Sequence, residues 1–255
     1  MGKIIAIASQ KGGVGKTTTA INLGVSLAIF QKRILVIDMD PQGSIAESFL
    51  LNEFDIRYGM FDVFVKKIPL ASAVTDIGLE NFEIVPSNVR NEEDEVELYT
   101  SAFHIKLLRN VIAPYRDLYD YIILDCPPNL GTLTMNSLAA AQSVIIPVQC
   151  EFYSLKSLGK FLKSVSNIGS KFNSEIQIEG VLLTMFDKRL KKSHEIAEEM
   201  SKSLKNLIFN TKIPRNSKIS EAPSFGKPVA LFDINSIGAI SYLHLAEEVL
   251  RKENK

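Results

Sequence analysis

The stretch Ser9-Gln10-Lys11-Gly12-Gly13-Val14-Gly15-Lys16-Thr17-Thr18-Thr19 decides how this chain folds. Ahead of it runs Ile4-Ile5-Ala6-Ile7-Ala8, an apolar segment of strand length, and behind it the apolar positions 20, 23, 24, 27 and 28 recur at helical spacing. Strand, glycine loop and helix in that order aim the loop's N–H groups and the positive end of the helix dipole at one point, where a polyphosphate can sit. Gly12, Gly13, Val14, Gly15 and Thr18 supply the cradle. Lys16 reaches the β- and γ-phosphates as a point charge, and the Thr17 hydroxyl is a hard oxygen ligand for Mg²⁺. Gln10 stands where this loop pattern usually has its first glycine, and a second lysine, Lys11, follows it. Lys11 is either a solvated loop lysine or points outward to a phosphate held by another subunit.

Working outward, runs that are apolar on both faces return at 3–9, 33–38, 82–86, 121–125, 143–148, 178–185 and 207–213, with helical stretches between most of them. Continuous rather than alternating hydrophobicity marks strands covered on both sides, and alternation with helices marks parallel crossovers. The expected fold is therefore α/β: a doubly wound, mostly parallel sheet flanked by helices, with ligands at the carboxyl ends of its strands. A chain of 255 residues, 46% hydrophobic, suits a single domain over its whole length. The region around Gly59 and Pro69 reads as short helices, and the acidic run Asn91–Glu97 as a solvated helix start.

Composition narrows the function. Net charge is zero, so a nucleic-acid or membrane partner has to be met by a local patch. Two cysteines, Cys126 and Cys150, in or beside apolar runs suit a reducing compartment. Neither a signal peptide nor an apolar run of about 20 residues is read, and a cytoplasmic location is expected. His104, His194 and His244 have no metal-ligand spacing.

Three further strand ends carry candidates. Leu35-Val36-Ile37-Asp38-Met39-Asp40-Pro41-Gln42-Gly43 sends two carboxylates out beyond a buried strand. Asp40 there can hold an attacking water in line with a γ-phosphate while Asp38 supports the Mg²⁺ shell; the plainer reading has both acids capping strand or helix. Tyr121-Ile122-Ile123-Leu124-Asp125-Cys126-Pro127-Pro128 is an apolar strand ending in one acid, placing Asp125 on Mg²⁺ or its water. The two prolines stiffen the segment, so it can relay the presence of a γ-phosphate. After Gly180-Val181-Leu182-Leu183-Thr184-Met185 the strand end borders a base, and the basic run of Lys188, Arg189, Lys191 and Lys192 is either wet surface or a seat for a phosphate backbone. Pro214 ends another strand; Asn216 beyond it can read the edge of adenine, and Arg215 and Lys218 extend the basic surface.

Taken together, these segments resemble the ParA/Soj chromosome- and plasmid-partition ATPases, within the deviant Walker A group of P-loop NTPases that also includes MinD. The motifs run over nearly the whole chain and include Ile146-Pro147-Val148-Gln149-Cys150-Glu151, Glu179–Thr184, and Ile213-Pro214-Arg215-Asn216 with Ser220-Glu221-Ala222-Pro223-Ser224. The resemblance implies that Lys11 is the signature lysine touching a partner's nucleotide across an ATP-sandwiched homodimer, with Gly12 close by. It implies that Asp40 is the hydrolytic carboxylate, that Glu151 is an interface acid, and that Arg189 holds duplex DNA non-specifically on the nucleoid. A centromere-bound ParB-type partner and a contact with a replication initiator are also implied. Asn129 stands in place of a usual serine, Phe152 of a tyrosine and Lys218 of an arginine, and Leu190-Lys191-Lys192 also departs from the family's pattern. With the loop starting at residue 10, an N-terminal operator-binding module is not expected. Three rivals stand beside this reading: a MinD-like membrane-cycling ATPase, an electron carrier of the nitrogenase iron-protein type, and a replication regulator in which hydrolysis is incidental. The tail 242–252 mixes acids with bases and reads as a docked last helix rather than a membrane anchor, and the two cysteines read as buried thiols rather than cluster ligands.

Overall fold

A computed structural model describes residues 2–151 and 154–253, so Phe152 lies outside the described residues. Strand β1 (Lys3–Ile7) leads through the glycine loop into α1 (Lys16–Ile29) and β2 (Ile34–Asp38). Short helices α2 (Ser44–Ser48), α3 (Met60–Phe64) and α4 (Leu70–Ala73) precede β3 (Thr75–Leu79) and β4 (Phe82–Val85). Helices α5 (Glu92–Ser101) and α6 (Leu107–Ile112) lead to β5 (Tyr121–Asp125), α7 (Thr132–Ala140) and β6 (Ser143–Gln149). The chain continues through α8 (Ser154–Phe172), β7 (Gln177–Phe186), α9 (Lys191–Leu204) and β8 (Ile208–Pro214). It closes with α10 (Ser217–Glu221), α11 (Val229–Phe232) and α12 (Ile237–Glu253).

The strands form one sheet in the order β3-β4-β2-β5-β1-β6-β7-β8, parallel throughout except for the β3–β4 pair. Two-residue periodicity divides each central strand between two cores. Ile4, Ala6, Leu35 and Ile37 face the layer containing α3, α5, α6, α7, α8 and α9, whereas Ile5, Ile7, Ile34 and Val36 face α1, α2, α11 and α12. Burial on both faces is why these runs read as continuously apolar. All seven apolar runs are strands. The eighth strand, β3, follows the region around Gly59 and Pro69 that reads as short helices, and no apolar run announces it. It is an edge strand with Asp76 and a left-handed Gly78 (φ 74°) in its five residues, and its burial alternates between half-buried and exposed. With an acid and a glycine among its five residues, this half-exposed edge strand has no apolar run to betray it.

The acidic run does begin a helix, α5, whose N-cap Asn91 accepts the Asp94 N–H at 2.9 Å. Helix α12 docks as expected, with Ala239, Tyr242, Leu245, Ala246 and Val249 fully buried. At one position the sheet needs glycine for space alone. A Cβ on Gly180 of β7 would come 2.4–2.9 Å from three ring atoms of Phe209, itself fully buried on β8. Gly180→Ala is expected to lower the unfolding free energy by about 1–3 kcal/mol, with Phe209→Leu recovering part of the loss in the double variant. Urea melts at matched m-values measure this, and an unchanged midpoint for the single variant would refute the close-packing account.

Candidate nucleotide site

The glycine loop is shaped by two left-handed residues, Gly13 (φ 69°) and Gly15 (φ 87°), which an L side chain would strain. Its carbonyls are held from outside. Gln149 of β6 donates to the Gly13 carbonyl at 2.9 Å, and the Thr184 hydroxyl of β7 donates to the Val14 carbonyl at 2.8 Å. With those carbonyls turned away, the N–H groups face the cradle. Gly15 is the N-cap of the 14-residue α1, whose first turn carries no acid, so the helix's positive end is left for an anion. Lys16 is buried at the foot of the cradle, while Lys11 is exposed at its mouth. Sequence reasoning gave Gln149 no role beyond a motif position and Thr184 none as a loop anchor; the available signal was a polar residue closing each apolar run.

Beyond β2 and β5, Asp38 and Asp125 are register partners, both fully buried. The Asp38 oxygens accept the N–H of Asp40 at 3.0 Å and of Ile45 at 3.1 Å. Asp38 therefore pins the loop that carries Asp40. Burial, and then the neighbouring Asp125, hold its carboxyl well above the usual carboxylate range. Asp125 differs in that neither oxygen finds a hydrogen-bond partner of ordinary geometry. Burial and then Asp40 push its proton affinity up, and the Thr17 hydroxyl and the Lys16 ammonium pull it back.

A buried, unpartnered carboxylate beside a threonine hydroxyl is the donor set of a small hard cation. Mg²⁺ takes one or two carboxylates and completes its shell with water and phosphate, a demand that Asp125 and Thr17 together can meet. Asp40 is half-buried, with its Oδ1 accepting the Gln42 N–H at 3.1 Å.

On the other side of the loop a cavity of about 370 Å³ is lined by Gly15, Thr18, Met185, Pro214, Asn216 and Tyr242, among others. The expected base-binding residues are thus brought together next to the cradle. Met185 holds a positive φ of 50°, a strained backbone for a long side chain at the rim of a pocket. Asn216 caps α10, its Oδ1 accepting the Lys218 N–H at 3.1 Å, which leaves its amide donors for a ligand. Tyr242, a pocket residue that sequence reasoning placed only on the docked helix, lies 3.4 Å from the Thr19 hydroxyl.

Lys11 and Glu151, both expected at a subunit interface, form an ion pair with each other within the chain, their side chains 48% and 55% exposed. Gly12 is exposed beside Pro128. The basic residues gather at the carboxyl ends of β7 and β8, which pair Phe186 with Pro214. Arg189 is 86% exposed but bound two-handed to Asp187 at 3.0 and 2.8 Å, which holds the Asp187 carboxyl down at about 2; Arg215 lies close enough to add to that effect. Lys188 is exposed, Lys191 lies 3.6 Å from Glu195, and Lys218 pairs with Glu221 at 3.0 Å; Lys192 is exposed on the first turn of α9. The cysteines are free thiols whose proton affinity is raised by burial, Cys126 to about 12.

A phosphate cradle, an orphaned acid for a metal and a base pocket at the carboxyl ends of a doubly wound sheet define a P-loop nucleotide-binding protein. A family model described as an AAA domain matches residues 2–178. The sporulation initiation inhibitor protein Soj of Bacillus subtilis is 43% identical over 249 residues, 98% of each chain. The chromosome partitioning protein ParA of Myxococcus xanthus is 42% identical, covering 99% of this chain and 89% of that one. Among solved structures, cobyrinic acid a,c-diamide synthase from Mycobacterium smegmatis with bound ADP and magnesium superposes with a TM-score of 0.84 at 28% identity, over 100% of this chain and 96% of that one. The septum site-determining protein MinD of Pyrococcus horikoshii, complexed with Mg-ADP, gives 0.83 at 26%, over 99% and 98%. The chain belongs to the ParA/Soj family of chromosome-partitioning ATPases.

Proposed function

We propose that this chain is an ATP-driven partition switch that binds ATP with Mg²⁺, closes on a second copy of itself, and in that paired state holds duplex DNA without regard to sequence. The observation that carries the reading is the unequal placement of its two loop lysines. Lys16 is buried in its own cradle, whereas Lys11 stands outside it, paired among the described residues with an exposed acid. An exposed ion pair of this kind is worth about 0–1 kcal/mol, so Lys11 leaves Glu151 readily for a stronger anion, the phosphates on a facing subunit.

In this mechanism the loop N–H groups and Lys16 hold the β- and γ-phosphates. Thr17 and Asp125, backed by Asp38, would hold Mg²⁺, which when bound would neutralise phosphate charge. Asp40, aimed by the bond from its own N–H to Asp38, orients the attacking water and takes its proton. Met185, Pro214 and Asn216 seat the base.

Pairing two subunits joins two modest basic patches, built from Lys188, Arg189, Lys191, Lys192, Arg215 and Lys218, so DNA affinity rises through effective concentration. Linkage requires DNA to favour the paired state in return. Hydrolysis, stimulated by a ParB-type partner, removes the γ-phosphate contacts of both lysines and loosens the pair from the nucleoid. Ala239, Tyr242, Leu245, Ala246 and Val249 of α12 are packed against the sheet and α1, which does not favour a membrane-anchor reading of that helix, although Ile237 and Ile240 at its start are exposed.

Sedimentation of the Asp40→Ala variant with Mg-ATP tests the core of this reading, and single copies there would refute it. Lys11→Ala is expected to bind ATP within a few-fold of the parent protein yet stay a single copy, and dimers at the parent's concentration would remove Lys11 from the interface. DNA binding compared with ATP, with ADP and without nucleotide across a salt series tests the gating; equal affinity in all three conditions would refute it.

A further inference from the structure

Helix α8 carries Lys156, Lys160, Lys163 and Lys171 and no acid anywhere in its 19 residues. All four lysines are exposed, whereas Leu158, Phe161, Val165 and Ile168 are buried in the core beneath the helix. At 3.6 residues per turn and 1.5 Å per residue the four stems fall within about 80° of one another, in one stripe about 22 Å long. The exposed positions between them are Gly159, Ser166, Asn167 and Ser170, and among the described residues α8 adds no exposed large apolar side chain. Other helices match exposed cations with acids one turn away: Lys191 with Glu195, Lys202 with Glu198 and Arg251 with Glu247. On α8 the sequence offers no such acid, and among the described residues none of its four lysines joins an ion pair. Lys156 and Lys160 are like charges four residues apart, Lys160 and Lys163 three apart, and Lys156 stands in the first turn, at the positive end of the helix dipole. The stripe repels itself, and a row of anions laid along it relieves that repulsion.

We propose that α8 is a second seat for the phosphate backbone of duplex DNA, on a different element from the basic residues at the ends of β7 and β8 and complete within one subunit. An anionic membrane surface would call on the apolar face of α8, which is packed in the core, and an acidic protein would call on apolar anchors that the stripe lacks. Point charges along a straight rod, with small polar residues between them, suit phosphates held without regard to base. Because the stripe needs no second copy, it supplies a weak, salt-sensitive affinity that does not depend on nucleotide, and a copy released after hydrolysis still touches DNA. The inference rests on the partition reading for its ligand, but not on nucleotide gating.

The test is fluorescence anisotropy of a labelled random-sequence duplex with the Mg-ADP protein at low salt, where the paired state is absent. The combined variant Lys156→Gln, Lys160→Gln, Lys163→Gln and Lys171→Gln is expected to bind about tenfold or more weakly than the parent, with a salt slope shallower by about three to four. Arginine at the same four positions is expected to keep the parent's affinity. A charge-matched control, with Lys106, Lys202, Lys205 and Lys227 all changed to glutamine, is expected to bind within about twofold of the parent, and thermal melts confirm that each variant is folded. No duplex binding by the Mg-ADP parent, parent-like binding by the α8 glutamine variant, or an equal loss in the control would each overturn the proposal. So would an α8-dependent affinity for phosphatidylglycerol vesicles or for polyglutamate that equals or exceeds the affinity for duplex, which would give the stripe to a membrane or to an acidic protein. Failure of the parent to pair with Mg-ATP would sink the gated switch instead, and would leave the binding measured in Mg-ADP unchanged.

Discussion

Asp40→Ala is expected to lower ATP turnover by about 10²–10⁴-fold, the usual contribution of a positioned general base, while ATP affinity changes by no more than a few-fold. The two effects separate because the proposed mechanism gives phosphate binding to other groups: the loop N–H groups, Lys16 and Thr17. Asp40 sits across the site on a different loop, and removing its carboxylate costs only the Gln42 N–H bond on the side-chain oxygen; the backbone bond to Asp38 and the buried carboxyl pair behind it remain. Stopping hydrolysis holds the paired state, so the variant is also expected to remain on DNA where the parent protein is released. Single-turnover hydrolysis with equilibrium binding of labelled ATP checks both halves. Turnover within a few-fold of the parent's would remove Asp40 from the reaction.

Arg189→Glu is expected to weaken DNA binding by about tenfold or more near 0.1 M salt and to make its salt dependence shallower by about two in slope, one phosphate for each subunit of the pair. ATP-dependent pairing should persist, because Arg189 is not among the groups that the proposal places at the subunit interface, Lys11, Gly12 and Glu151. Its bond to Asp187 sharpens the expectation. A guanidinium already held by a carboxylate has to share itself with a phosphate, and the carboxylate repels that phosphate. Asp187→Asn is therefore expected to tighten DNA binding several-fold, opposite in sign to Arg189→Glu. Weakened binding in Asp187→Asn would show that Asp187 serves to hold Arg189 in its DNA-facing geometry rather than to restrain it.

Much of this architecture was legible in the chain. Seven strands declare themselves as short apolar runs, the central ones because they are buried on both faces, and the glycine loop declares its position because only glycine takes the φ values found at residues 13 and 15 at little steric cost. Asp38, Asp40 and Asp125 were visible as acids at the ends of such runs. Their separate conditions were not. Asp38 has both oxygens on backbone N–H groups and Asp125 has neither, a distinction set by the path of the loop 39–45 rather than by residue type. Strand β3 was illegible because half of it faces water, and the Lys11–Glu151 pair because 140 residues separate its partners.

The order of residues by itself determined the layered sheet and the place of the phosphate cradle, since both follow from local periodicity and from the conformational freedom of glycine. What only the tertiary structure decided is which polar groups face one another: Thr184 and Gln149 holding the loop's carbonyls, Tyr242 lining the pocket beside the cradle, Asp187 holding Arg189, and the Thr132 hydroxyl meeting the Tyr99 carbonyl. A hydrogen bond has a range of about 3 Å and a direction, so neither can be specified until the strands carrying its donor and acceptor have been set side by side.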